Sequence, residues 1–137
     1  MLKLFLASHG RLASGMESSV NVLLGGVSNL TIFDAYLDEK NIHEVLNSFF
    51  ENINEEDQVI MLSDLLGGSV NQVMYTYLNK KNTKLISGIN LAILLELCMY
   101  ENPIDDEKIL SIINEGKNSI QLINNSTEFS EIEDDFF

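Results

Sequence analysis

Leu2-Lys3-Leu4-Phe5-Leu6-Ala7-Ser8-His9-Gly10 is the stretch on which the fold turns. Successive residues of a strand point to opposite faces, so the unbroken apolar run from Leu4 to Ala7 needs cover on both sides. That is the pattern of a strand inside a parallel sheet clad by helices. Gln58-Val59-Ile60-Met61-Leu62 repeats it and also runs into a polar end, Ser63-Asp64. Leu30-Thr31-Ile32-Phe33-Asp34-Ala35 is rich in β-branched and aromatic residues, and Lys84-Leu85-Ile86 is a shorter strand ending at Ser87-Gly88. Ser119-Ile120-Gln121-Leu122-Ile123 alternates, as an edge strand with one exposed face does.

Helical patterns separate these runs. Met16, Val20, Leu23, Leu24 and Val27 share one face at helical spacing, and Ser14 with Glu17 reads as a capping box at the start. Gly25-Gly26 offers the stop. Asn41 and Glu44 open a second helix that carries Val45, Leu46, Phe49 and Ile53. Ser69 is placed to cap a third, through Tyr77 and Leu78, and Asn90 a fourth, from Leu91 to Tyr100. Pro103 separates a fifth, Ile104 to Gly116, whose first turn holds Asp105, Asp106 and Glu107, as the helix dipole favours. The order βαβαβαβααβ predicts an α/β fold: an open, mostly parallel, doubly wound sheet of four parallel strands with helices on both faces. Two helices before the last run let it return as an antiparallel edge strand, in the same chain or swapped into a dimer partner. Residues 1–123 form the expected domain. Residues 124–137 hold five acids and no base, the composition of a mobile solvated tail, though Phe129, Ile132, Phe136 and Phe137 also suit a docking segment.

Composition narrows the function. Eight basic residues against 21 acidic ones give a net charge of −13, which argues against a nucleic-acid partner. Apolar residues are 45% of the chain, too many for an acidic disordered protein. One cysteine, Cys98, rules out an internal disulfide and a thiolate zinc cluster; in its apolar helix it reads as an inert core thiol. No apolar run reaches the length of a membrane helix, and the N-terminus does not read as a signal peptide, so a cytoplasmic location is expected.

Ligands of open parallel sheets bind beyond the carboxyl ends of the strands. Three such ends carry polar residues and glycine: Ser8-His9-Gly10, Ser63 to Ser69, and Ser87-Gly88-Ile89-Asn90. Gly67 and Gly68 allow a close backbone approach to a ligand, and Ser69 opens a helix, so the loop suits an anion such as a phosphoryl group. Asp64 is placed to accept a hydrogen bond from His9, which would fix the ring and free its other nitrogen as a nucleophile. A histidine nucleophile, an orienting aspartate and a helix start together point to phosphoryl transfer through phosphohistidine. Turn chemistry, a capping aspartate and a satisfied histidine are the plain readings of the same pieces taken singly. No Walker lysine motif and no carboxylate cluster accompany them. No metal or cofactor is therefore expected, and a phosphoprotein is a better donor than ATP. Arg11 stands where it would contact phosphate or a partner, or lie solvated. His43, beside Glu44, reads as solvent-facing, and Met74 and Tyr77 as packing residues.

Taken in order and spacing, Ser8-His9-Gly10, Leu12-Ala13-Ser14-Gly15, Asp64-Leu65-Leu66-Gly67-Gly68-Ser69 and Gly88-Ile89-Asn90-Leu91 resemble the IIA domains of the mannose-type (mannose/fructose/sorbose) sugar phosphotransferase system. The resemblance covers residues 1–123. It implies that His9 takes a phosphoryl group from the histidine-containing phosphocarrier protein and passes it to a IIB component, which serves membrane IIC and IID subunits. It implies Asp64 as the partner of His9, Ser69 as a hydroxyl near the phosphate, and a homodimer that exchanges its C-terminal strand. Two positions depart from the family pattern: Leu66 where phenylalanine is frequent, and Val70 where proline is. The phosphoryl donor domain of dihydroxyacetone kinase is a related fold with a shorter second loop, which Gly67-Gly68-Ser69 disfavours. The same pieces also suit a non-catalytic anion- or nucleotide-binding module, or a regulator of the same fold. The 137 residues hold no fused IIB module, so relay to a separate polypeptide is expected.

Overall fold

The computed structural model describes residues 1–127. Four strands, β1 (Leu2–His9), β2 (Leu30–Ala35), β3 (Gln58–Ser63) and β4 (Thr83–Ser87), form one sheet in the order β2-β1-β3-β4. Every pairing is parallel, with Ser8 opposite Asp34, Ala7 opposite Ser63, and Ser63 opposite Ser87. The expected four-stranded parallel sheet is therefore present.

Five helices cover it: α1 (Leu12–Leu24), α2 (Ile42–Glu51), α3 (Ser69–Tyr75), α4 (Leu91–Cys98) and α5 (Asp106–Asn118). Alternation along β1 divides the core. Leu2, Leu4 and Leu6 face α1, α4 and α5 together with Ile60, Leu62, Leu94 and Ile112. Phe5 and Ala7 face α2 and α3 together with Phe33, Leu46, Met61 and Met74. Both central strands are buried on both faces, so each contributes apolar area to two layers at once.

Several boundaries differ from the sequence reading, among them α4, which ends at Cys98 instead of Tyr100, and α5, which runs from Asp106 to Asn118 instead of Ile104 to Gly116. α1 starts at Leu12, and Ser14 lies inside its first turn instead of capping it. The orphan N–H groups there have tertiary acceptors: Ala13 N–H donates to Ser8 Oγ at 2.7 Å and Ser14 N–H to Asp34 Oδ1 at 2.9 Å. α3 is shorter than expected, ending at Tyr75, and its N-cap is Gly68. Asn41 and Asn90 do cap, accepting from His43 N–H and Ile93 N–H. Gly25, at φ +77°, ends α1 as expected.

The fifth strand is corrected for the single chain. Residues 119–123 follow α5 without joining the sheet, and Ile120 and Leu122 are exposed. Alternation is a local signal, whereas a strand exists only where a second chain segment offers its ladder. Of the acidic tail, Asn124 to Thr127 are described and make local turn hydrogen bonds around Asn124. The five acids and four apolar residues singled out in it lie outside the described residues.

Candidate active site

With order β2-β1-β3-β4, the chain leaves β1 toward one side and β3 toward the other. The carboxyl ends of these two strands therefore flank the switch point of the sheet, where the two following loops diverge and leave a crevice. His9 is the last residue of β1, and Asp64 follows the last residue of β3. The parallel register makes them neighbours across 55 residues of sequence.

Asp64 Oδ2 accepts from the His9 backbone N–H and pairs with His9 Nδ1, each at 2.9 Å. Its other oxygen, Oδ1, is buried and has no hydrogen-bond partner among the described residues, so the carboxylate is devoted to one histidine. Burial acts to raise the Asp64 pKa, but the two hydrogen bonds and the charge of His9 outweigh it, and the carboxyl is held below its ordinary value. An ionised Asp64 only accepts. In the neutral ring, His9 Nδ1 must then carry the proton, which leaves the lone pair on Nε2. Ser69 Oγ stands 3.3 Å from that nitrogen.

The ring is held from two sides. Gly68 backs it so closely that a Cβ there would stand 3.3 Å from His9 Cε1. Tyr36, the first residue after β2, lies across from it with ring centroids 5.4 Å apart, and its hydroxyl is 2.5 Å from Ser69 Oγ. Tyr36 adopts φ +67°, a left-handed conformation unusual for an aromatic residue.

The glycine loop is built differently from the simple expectation. Gly67 is needed for its φ of +75°, and its N–H is already donated to Asn71 Oδ1 at 2.9 Å. Asn71 Nδ2 reaches Ser63 Oγ and Ser87 Oγ, so one side chain ties the loop to the ends of β3 and β4. The first helical bond of α3 is Gln72 N–H to Gly68 C=O; the N–H groups of Ser69, Val70 and Asn71 thus have no intrahelical acceptor. Arg11 is exposed just beyond His9, and no ion pair involves it among the described residues.

His9, Asp64, Gly67, Gly68 and Ser69 thus come together, and Ser87-Gly88 closes the same edge through Ser63 and Asn71. Sequence reasoning missed Tyr36 and Asn71. The polar end of β2 held the signal for the first, and an asparagine in the opening turn of α3 the signal for the second. His43 is exposed, as expected, with Nδ1 3.3 Å from Tyr77 Oη. Burial pushes the Cys98 thiol up to about 12, which makes it a poor nucleophile. No group of three or more metal-ligating side chains occurs among the described residues, nor any helix long and apolar enough to cross a membrane.

Fold and site together define a parallel α/β domain with a histidine–aspartate pair at its switch point. Residues 3–113 match the family model EIIA-man, described as the PTS system fructose IIA component, where PTS is the phosphotransferase system. The chain belongs to that family and is a component of the sugar phosphotransferase system. Among solved structures it is similar to a protein of Klebsiella pneumoniae described as a phosphoenolpyruvate-dependent sugar PTS permease. The two share 28% identity over 91% of this chain and 93% of the other, with a TM-score of 0.81. The PTS IIA protein associated with the fucose utilization operon of Streptococcus pneumoniae is 26% identical over 88% and 92%, with a TM-score of 0.70. The mannose/sorbose specific IIA subunit of Enterococcus faecalis, 22% identical over 92% and 97%, shares the fold with a TM-score of 0.78. A search of curated proteins returned no match.

Proposed function

We propose that His9 is the phosphorylated residue of a IIA phosphocarrier domain formed by residues 1–123. It accepts the phosphoryl group at Nε2 from the histidine-containing phosphocarrier protein and passes it to a IIB component for sugar uptake. The observation that carries this reading is the placement of Asp64 Oδ2 2.9 Å from Nδ1, with Ser69 Oγ 3.3 Å from Nε2. The Nε2 lone pair attacks phosphorus as the donor N–P bond breaks, and the donor nitrogen leaves with the bonding electrons. The proton on Nδ1 stays shared with Asp64, which stabilises the positive charge the ring gains. Ser69 and the start of α3 receive the phosphoryl oxygens, Gly67 and Gly68 shape the loop, and Arg11 meets phosphate or partner. This relay belongs in the cytoplasm, where both protein partners and the inner side of the IIC and IID subunits are reached.

Incubation with the phosphorylated carrier protein, followed by mass spectrometry under alkaline conditions, tests the reading. One acid-labile phosphate on wild-type protein and none on His9→Ala is expected. An unlabelled wild-type chain, or label at His43, refutes it.

The same reading includes a homodimer. Ile120 and Leu122 are exposed in the single chain, and the outer edges of β2 and β4 carry no neighbour strand among the described residues. Residues 119–123 add antiparallel to the sheet of a second copy, at little cost because the contacts formed replace none. Light scattering should give a dimer for the full chain and for a truncation after Asn125, and a monomer or aggregate for a truncation before Ser119. A monomeric full-length chain defeats it.

A further inference from the structure

We propose that Tyr36 is a positioning residue of this site, acting on the phosphoryl acceptor through Ser69. The inference rests on His9 being the phosphorylated residue.

The groups form one line. Tyr36 Oη is 2.5 Å from Ser69 Oγ, Ser69 Oγ is 3.3 Å from His9 Nε2, and His9 Nδ1 is 2.9 Å from Asp64 Oδ2. An ionised Asp64 has no proton to give, so the direction of the line is set from that end. Nδ1–H donates to Asp64, Nε2 accepts from Ser69 O–H, and Ser69 Oγ accepts from Tyr36 O–H. A serine hydroxyl alone rotates freely and can present either its proton or a lone pair to Nε2. With Tyr36 donating to it, a lone pair is occupied and the proton is directed at the ring nitrogen.

That direction is the one phosphoryl transfer needs. When the N–P bond forms, the Nε2 lone pair is consumed, and the Ser69 proton swings from the nitrogen to a phosphoryl oxygen. No proton leaves the line. Tyr36 keeps donating to Ser69 before and after the transfer, so Ser69 remains a donor to the place where negative charge resides. Without Tyr36 the hydroxyl is free to turn a lone pair toward that place instead of its proton.

The backbone gives independent support. Tyr36 is held at φ +67°, where the side chain crowds its own peptide group, and it is the residue immediately following β2. The residue is 64% exposed, so core burial does not account for the strained conformation. What the conformation achieves is to lay the ring beside His9, with centroids 5.4 Å apart, and bring the hydroxyl to Ser69.

The test uses phosphoramidate, a small phosphoryl donor that removes protein docking from the measurement. Single-turnover labelling of His9 is followed in the full-length chain, in Tyr36→Phe, in Ser69→Ala and in the double variant. Tyr36→Phe should slow labelling by about three- to tenfold, as expected for one oriented hydrogen bond. The double variant should be no slower than Ser69→Ala, because Tyr36 acts only through that hydroxyl. The ¹⁵N resonance of His9 Nε2 should move in Tyr36→Phe while the melting temperature stays put. Wild-type rates in Tyr36→Phe, or losses that multiply in the double variant, overturn the role of Tyr36 alone. Absence of phosphate on His9 in the wild-type chain, with the carrier protein as well as with phosphoramidate, overturns the functional reading too.

Discussion

A single oxygen, Asp64 Oδ2, holds His9 twice, by its backbone N–H and by its ring Nδ1, each at 2.9 Å. The first contact fixes where the chain leaves β1, and the second fixes which way the ring faces. Position and orientation of the His9 ring therefore depend on one carboxylate contributed from the end of a different strand.

Asp64→Asn keeps the size of the side chain and removes its charge. The amide can no longer hold the proton on Nδ1 by charge, and on the proposed phosphorylation of His9 the positive ring would lose its counter-ion. Transfer from the phosphorylated carrier protein to His9 should slow by roughly tenfold or more. Stopped-flow or quench-flow labelling measures it; rates equal to wild type would reduce Asp64 to a turn residue.

The lowered Asp64 pKa also predicts a pH dependence of stability. Its ordinary value is 3.8, and the folded value lies beneath that. A depressed carboxyl stabilises the native state above the unfolded value and loses that contribution as pH falls through the folded value. The difference in unfolding free energy between wild type and Asp64→Asn should therefore shrink as pH falls below 3.8. Urea titrations across that range decide it, and a difference independent of pH contradicts the assignment.

Gly116 in α5 packs against α4 without room for a methyl group. A Cβ there would stand 2.1 Å from Ile93 Cγ1 and 2.7 Å from Cδ1, and Ile93 is itself buried. Gly116→Ala gains up to about 1 kcal/mol of helix propensity, while forcing the two helices apart costs roughly 1–3 kcal/mol. A net fall in the urea midpoint at unchanged slope is expected. A rise would mean that Ile93 turns away freely.

The parts of the fold legible in the sequence are those that local chemistry decides. Leu4 to Ala7 and Val59 to Leu62 announce two-sided burial by themselves, and both are buried on both faces. The pairing of His9 with Asp64 is legible because parallel strands bring their carboxyl ends to one edge. Ser14 misleads because its hydroxyl looks like the cap, whereas the orphan N–H groups are taken by Ser8 and Asp34, tertiary partners that no spacing reveals. Tyr36 escapes notice because its place beside His9 depends on a left-handed backbone that composition does not predict for tyrosine. Residues 119–123 carry the right alternation, but whether a strand forms there depends on what lies alongside.

The segment between Asp64 and Ser69 is tied down through Gly67, yet it turns the side chains of Leu65 and Leu66 outward. Leu66, at 85% exposure, packs against neither helix layer. Substitution there should be nearly silent in folding energy, because the side chain is already in water. Duplicated copies of such a gene can thus drift at Leu65 and Leu66 without losing the fold. The contacts between His9 and Asp64, anchored at the ends of β1 and β3, are inherited unchanged.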